Sequence, residues 1–272
     1  MENEERDLNE TFTAVYGPVS SWRYGRSLGI DPIGAISACS FNCVYCQLGE
    51  IERLSGDRQI FIPTADILRE LTEFTPWEVD VITLSGSGEP TLAKNLGQIL
   101  QSIKTLTGKP TLVLTNATLL NNAQVRQELS LANKVSVKLD GLWPDQLQRI
   151  NRPIAGIELE QILSGIQAFQ QEFTGELSVQ TMVLQPWDQT TENRYLELLS
   201  LIQPTEVQLN SPTRPKPLQR ELEGRGNHAG TPYGDRPVTQ IKCVDGQTLQ
   251  NLAKKISGAI GIPVRCAPVK VL

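Results

Sequence analysis

Over most of its length the chain alternates between short apolar runs rich in β-branched residues and longer stretches with helical periodicity. This alternation predicts strands at 28–38, 79–84, 111–114, 135–139, 177–184 and 206–209. Helices are predicted at 64–74, about 92–107, about 121–132, 159–173 and 192–202, the first with Thr64 as cap and apolar residues at 67, 68, 71 and 74. Strands joined by helical crossovers run parallel. Six such units imply an α/β fold, either an open doubly wound sheet or a partial (β/α)6 barrel of TIM type, and in both the reactive groups gather at the strands' C-terminal ends. A further helix at 247–260 and a short strand or tail at 263–271 follow.

The first predicted strand runs into Cys39-Ser-Phe-Asn-Cys43-Val-Tyr-Cys46, which holds three of the five cysteines. The C-x3-C-x2-C spacing suits three thiolates on one iron–sulfur cluster, and it leaves a four-iron cube one ligand short. Structural zinc wants four ligands. The only histidine is His228, and Cys243 and Cys266 lie far along the chain, so zinc or inert thiols stand as the bland alternatives. An odd cysteine count with three clustered fits a reducing compartment. The acidic start MENEERDLNE lacks the basic and apolar regions of a secretory signal, and no apolar run reaches the roughly 18 residues of a membrane span, so a cytoplasmic location is expected. A net charge of −5 and a pI near 5.1 argue against a broad phosphate-binding surface.

Cys39, Cys43 and Cys46, with Tyr45 before the last, resemble the signature of the radical S-adenosylmethionine (radical SAM) superfamily. The resemblance implies a [4Fe-4S] cluster on these three cysteines, with S-adenosylmethionine chelating the fourth iron and Tyr45 able to cover its adenine. Ser87-Gly-Glu-Pro90 resembles the family's glycine-glycine-glutamate-proline motif, with Ser87 in place of the first glycine. Glu89 is thereby expected to accept a hydrogen bond from the methionine amino group, with Ser85 assisting. Thr115-Asn116 looks like the family's Thr-Asn-Gly segment with Ala117 for glycine, and Val137-Lys-Leu-Asp140 resembles its Ser-Leu-Asp segment. Lys138 would then pair with the methionine carboxylate or touch substrate. Tyr16-Gly-Pro-Val19, Gly25 to Pro32, Asn151-Arg-Pro153 and Leu209 to Pro215 are similar to a narrower iron–sulfur subgroup, loosely related to wyosine-forming tRNA enzymes.

These readings divide the chain into a disordered acidic N-terminus (1–14), a radical SAM partial barrel (15–215) and a Pro/Gly-rich loop with a helical extension (216–272). Between 211 and 242, six Lys/Arg stand against three acids, an excess of +3. Arg23 and Arg26 on the N-terminal arm, Arg214 on the long loop and Asp140 are the candidate substrate residues. The arm and the 211–241 loop are expected to close over the mouth. The resemblance implies reductive cleavage of S-adenosylmethionine, fed by an electron donor such as flavodoxin or ferredoxin, and hydrogen-atom abstraction from a small molecule or tRNA base. A glycyl-radical activase acting on a partner protein and a non-catalytic metal-binding module are the alternatives. Cys243 and Cys266 are either ligands of an auxiliary cluster or ordinary buried cysteines.

Overall fold

The computed structural model describes residues 12–225 and 237–268. Its centre is one eight-stranded sheet: β1 (Val15–Ser21), β2 (Gly25–Ile30), β3 (Val81–Leu84), β4 (Thr111–Thr115), β5 (Lys134–Lys138), β6 (Glu176–Met182), β7 (Glu206–Asn210) and β8 (Val264–Cys266), adjacent in that order. The strand β1 runs antiparallel to β2, and every other neighbouring pair is parallel. Helices α1 (Thr64–Thr72), α2 (Leu96–Thr107), α3 (Ala123–Leu129), α4 (Pro144–Ile150), α5 (Leu159–Glu172), α6 (Gln189–Ile202) and α7 (Gly246–Ile260) supply the crossovers.

Alternation along the strands fixes which face each helix layer covers. Leu28, Ile30, Ile82, Leu84, Val113, Val135, Val137, Val179 and Val207 belong to the apolar core, together with helix residues such as Ile99, Ile103, Ile166, Phe169 and Leu199. The opposite face of the sheet carries Ser27, Thr83, Ser136, Ser178, Gln180 and Gln208, all buried. It curls around these polar groups, because Arg265 on the edge strand β8 donates to the backbone oxygens of Trp22 (2.6 Å) and Arg23 (2.8 Å) in the β1–β2 turn. The two edges of the partial barrel are therefore tied together at the strands' N-terminal end, here the floor.

Helix α4 and several element ends were not in the sequence reading, and three differences bear on the frame of the barrel. The first barrel strand is Gly25–Ile30 rather than 28–38, because the Asp31 carboxylate accepts the N–H groups of Ile33 (3.0 Å) and Gly34 (3.2 Å) and turns the chain out of the sheet. The short strand or tail predicted at 263–271 is a parallel strand over Val264–Cys266 beside Glu206–Asn210, and α7 packs its Leu249, Leu252, Ala253 and Ile256 into the common core. The long loop contains a short strand, Lys216–Pro217, paired with Val238–Thr239, and a 3-10 turn at Leu222–Arg225. Its central part with His228, and most of the predicted disordered N-terminus, lie outside the described residues. Ala14, at the end of that predicted segment, is buried, and its N–H donates to Glu70 of α1 (2.6 Å).

Candidate functional site

At the C-terminal ends of β2 to β5, three loops are laced to one another by backbone hydrogen bonds. Ala38 donates to the oxygen of Ser87 (3.0 Å), and Glu89 donates back to the oxygen of Ala38 (3.0 Å). Gly88 permits this approach, since a Cβ there would sit 1.7 Å from the Ala38 oxygen. On the other side, Asn42 and Val44 donate to the oxygens of Asn151 (3.0 Å) and Ile150 (2.9 Å). The cysteine loop is thus held between the loop after β3 and the segment after α4.

Cys39, Cys43 and Cys46 are free thiols within this frame. N–H groups point at all three: Phe41 N (3.4 Å) and Asn116 Nδ2 (3.6 Å) at Cys39 Sγ, Asn151 Nδ2 (3.4 Å) at Cys43 Sγ, and the Leu48 backbone at Cys46. Burial and the neighbouring Asp140 push the Cys43 thiol up to about 12, and burial raises Cys39 and Cys46 as well. The polypeptide alone therefore disfavours the thiolates, and a bound cation would reverse that. Among the described residues, no three Cys, His, Asp or Glu side chains converge on the position of a single ion. Zinc would hold its sulfurs about 3.8 Å apart, from Zn–S bonds of ≈ 2.3 Å, whereas a four-iron cube spreads its ligands over separate corners. Three thiols backed by N–H donors fit the cube.

Glu89 lies beside them, 2% exposed. Its Oε1 accepts from Thr91 N (3.1 Å), Thr91 Oγ1 (2.7 Å) and Thr115 Oγ1 (2.6 Å), and its Oε2 accepts from Asn116 N (2.7 Å). Burial raises its pKa above the ordinary 4.5, against these hydrogen bonds, which lower it. No cation pairs with Glu89 among the described residues, and Oε2, with one donor, keeps capacity for another. Asn116 joins this carboxylate to Cys39, and its side chain is fixed by Ser40 (2.9 Å) and Thr118 (2.8 Å).

Tyr45, Lys138 and Asp140 form a second group on the far side of the cysteines. The Tyr45 hydroxyl donates to Asp140 Oδ2, and Lys138 Nζ stands 4.7 Å from the Tyr45 ring centre and 3.5 Å from Asp140 Oδ1. Asn151 Nδ2 (2.8 Å) and Met182 N (2.7 Å) occupy the remaining positions around Asp140, whose side chain is wholly buried. With both oxygens engaged inside the protein, Asp140 orients Tyr45 and Lys138 and has no position left for substrate.

The other candidates separate. Ser85 faces the barrel interior and bonds Tyr16 Oη (2.9 Å) rather than Glu89. Ser87 is fully buried and receives Arg220 Nη2 (2.8 Å). Arg214 sits half-buried on the strap 211–225, where its oxygen accepts from Gln47 Nε2 (3.4 Å). Arg23 and Arg26 lie at the floor, at the opposite end of β2 from the cysteines, so these two arginines do not reach the mouth. Arg26 is exposed on the outer side, beside Pro76 and Trp77. Cys243 is exposed, and Cys266 packs against α7 with Sγ 3.5 Å from the Leu249 oxygen.

The strap supplies residues to which sequence reasoning gave no role. Arg225 Nη1 meets Asp31 Oδ2 (3.1 Å), and the same oxygen accepts Ser87 N (2.9 Å). Arg220 Nε pairs with Glu52 (3.2 Å), and Lys216 Nζ pairs with Glu50 (2.6 Å). The excess of positive charge in 211–242 was the available signal, and its partners are the acids flanking the cysteine loop. Asn151 belonged to a recognised motif, but its contact with a thiol arises only from the fold.

The sequence profile of the radical SAM superfamily matches residues 35–193, more than half of the chain and all three loops of this site. The chain belongs to the radical SAM superfamily. Members bind a [4Fe-4S] cluster and S-adenosylmethionine. UPF0026 protein slr1464 of Synechocystis is 91% identical over 265 residues, which span 97% of this chain and 100% of that protein. Among solved structures, Streptococcus suis SuiB superposes with a TM-score of 0.60 at 16% identity, over 88% of this chain and 48% of its own. A radical SAM methyltransferase from Sphaerobacter thermophilus gives 0.58 at 13%, over 89% and 65%. Both share the partial TIM-type barrel, and SuiB has also been solved bound to S-adenosylmethionine. No helix among the described residues is long and apolar enough to cross a membrane.

Proposed function

We propose that this protein cleaves S-adenosylmethionine reductively at the Cys39–Cys43–Cys46 site and directs hydrogen-atom abstraction onto a substrate held in the barrel. One observation carries the reading: Glu89, a buried carboxylate that no cation pairs among the described residues, is linked through Asn116 to the Cys39 thiol. When bound, the cluster supplies the electron that breaks the carbon–sulfur bond of S-adenosylmethionine.

The protein's own residues do the rest. Cys39, Cys43 and Cys46 hold the metal, and the N–H donors from Phe41, Asn116 and Asn151 stabilise negative charge on sulfur. Glu89 accepts the methionine ammonium at Oε2, while Thr91 and Thr115 fix its rotamer. Lys138 offers its ammonium to the methionine carboxylate, held in place by Asp140 and the Tyr45 ring. Tyr45 bounds the adenine side. The strap, with Arg214, Lys216 and Arg220, covers the cysteine loop and limits access of water and oxygen. A flavodoxin or ferredoxin serves as electron donor, and the cytoplasm, where such donors work, is the proposed location.

The test is anaerobic reconstitution with iron and sulfide, then dithionite and S-adenosylmethionine. Four irons per chain and release of 5'-deoxyadenosine are expected. A chain that takes up one zinc and releases no 5'-deoxyadenosine would be a metal-binding module instead. Nucleoside profiles of tRNA from a deletion strain distinguish a tRNA base from other substrates, and a glycyl-radical signal on a co-purifying protein would mark an activase.

A further inference from the structure

Below the cysteine mouth, a cavity of ≈ 130 Å³ runs inside the barrel from Tyr16 and Ser85 to Arg23 at the floor. Interiors of (β/α) barrels are ordinarily filled by branched apolar side chains. Here the walls offer mostly hydroxyls instead, with Val19, Leu112 and Leu114 as the apolar members and the Arg225 guanidinium over the Tyr16 ring at the upper end. Tyr24 crosses the floor, its hydroxyl bonded to Ser178 (3.2 Å) and Gln208 (2.8 Å).

Arg23 is the anomaly of this space. The residue keeps some exposure, but its Nε and Nη1 are sealed from solvent and have no hydrogen-bond partner. Its guanidinium carbon lies 5.7 Å from the ring centres of both Trp22 and Tyr24. The acid nearest in charge terms, Glu206, is engaged elsewhere: Oε2 faces Arg265 Nη1 (3.4 Å) and Oε1 accepts Gln208 Nε2 (2.7 Å). Two guanidinium groups thus share one carboxylate, and the floor is left with a net positive charge. Gln208 Oε1 and Ser136 Oγ, on the same inner face, also lack partners. Two sealed guanidinium nitrogens without an acceptor are costly to bury, and the planar fork they belong to matches a carboxylate or a phosphate.

We propose that Arg23 forms the floor of an oxyanion site inside the barrel, which takes the carboxylate or phosphate of a small polar substrate entering from the cysteine mouth. This rests on the reading of that mouth as the S-adenosylmethionine site. Tyr16, Ser85 and the hydroxyls of Ser27 and Thr83 line the path and match a ligand polar along its length.

The experiment titrates anaerobic, cluster-loaded protein by calorimetry with inorganic phosphate and, separately, with acetate, malonate and glutarate. Saturable binding of at least one probe is expected, weakened about tenfold or more in Arg23→Gln and partly restored in Arg23→Lys; which series binds tells phosphate from carboxylate. Absence of binding to the wild type, or equal binding to Arg23→Gln, overturns the proposal. Should Arg23→Gln not fold, wild-type crystals soaked in selenate decide: anomalous density within hydrogen-bond distance of Arg23 supports the site, and none there overturns it. Release of 5'-deoxyadenosine by the wild type is followed in parallel. Probe binding without release would sink the proposed function and leave this site standing; release without probe binding would sink the site alone.

Discussion

At the scale of single residues, Gly88 and Glu89 carry different parts of the same junction. A methyl group on Gly88 would overlap the Ala38 oxygen at 1.7 Å, and the two backbone hydrogen bonds around Ala38 leave neither loop room to yield. Gly88→Ala is therefore expected to destabilise the apo chain by at least about 3 kcal/mol in urea unfolding, the upper range for overpacking. It should also lose cluster retention, because the displaced strand of the junction carries Cys39. Glu89 is exchangeable in shape but not in charge. Glu89→Gln keeps an acceptor for Thr91 and Thr115 but turns an NH2 toward the Asn116 N–H, an orphaned donor costing about 1–3 kcal/mol. Its affinity for S-adenosylmethionine should fall about tenfold or more in equilibrium dialysis, because a charge-assisted hydrogen bond of about 1.5–3 kcal/mol is lost. The pH dependence follows from the raised carboxyl pKa. Below the ordinary value of 4.5 the folded apo chain carries no penalty from Glu89, and as pH climbs from 4.5 through the raised value that stability is lost, since the buried group must ionise. A bound ammonium repays this by pairing with the ionised form. Thermal stabilisation by S-adenosylmethionine should thus grow as pH rises through the window above 4.5, and a flat profile matching Glu89→Gln would count against the assigned role.

At the scale of elements, the strap 211–225 acts as the counterpart of the cysteine loop. Its contacts alternate between charge and backbone: Lys216 with Glu50, Arg220 with Glu52 and Ser87, Glu221 N with the Leu48 oxygen, and Arg225 with Asp31. The Lys216–Glu50 and Arg220–Glu52 pairs bury the cation but leave the carboxylate in reach of solvent, which screens them. The Arg225–Asp31 pair is different, with side chains 5% and 0% exposed. Removing one member of a buried pair costs about 3–5 kcal/mol, and Asp31 keeps three N–H donors, so Arg225→Gln is expected near the lower end. Faster proteolytic cleavage within 211–225, with the barrel core left intact, is the expected signature; unchanged cleavage would mean that the strap is held by its backbone contacts. The sequence showed this element as a basic, proline-rich stretch expected to close over the mouth, without the acids it meets. Charge is visible in a sequence, but which acids it meets depends on where the strap crosses the mouth.

At the scale of the whole molecule, periodicity made the parallel sheet legible, because a strand buried against helices must be apolar at alternate positions whatever its neighbours are. The shared placement of the candidate residues was legible too: Thr115 and Lys138 end β4 and β5, and the loops with the cysteines and Glu89 follow β2 and β3, though motifs rather than periodicity marked these residues out. Two things were not. The inner face of the barrel reads as Ser, Thr and Gln between apolar residues, which looks like a solvated face until the sheet curls and encloses it, and the Arg23 floor appears only then. The other is the place of the strand Val264–Cys266: the sequence offered a short strand or tail at 263–271, but where it pairs was decided by the helix before it. That helix buries Leu249, Leu252, Ala253 and Ile256, three of them side chains of about 1.5–3 kcal/mol each, and Arg265 beyond it ties the floor to the β1–β2 turn. A chain ending at residue 245 would lose this burial, expose the edge of β7, and cut the link between the two sides of the barrel. It is expected to aggregate or to run as a higher oligomer in gel filtration, and to retain no iron after reconstitution. A monomeric, iron-loaded product would show instead that residues 15–215 form a self-sufficient barrel and that the remainder is an appendage.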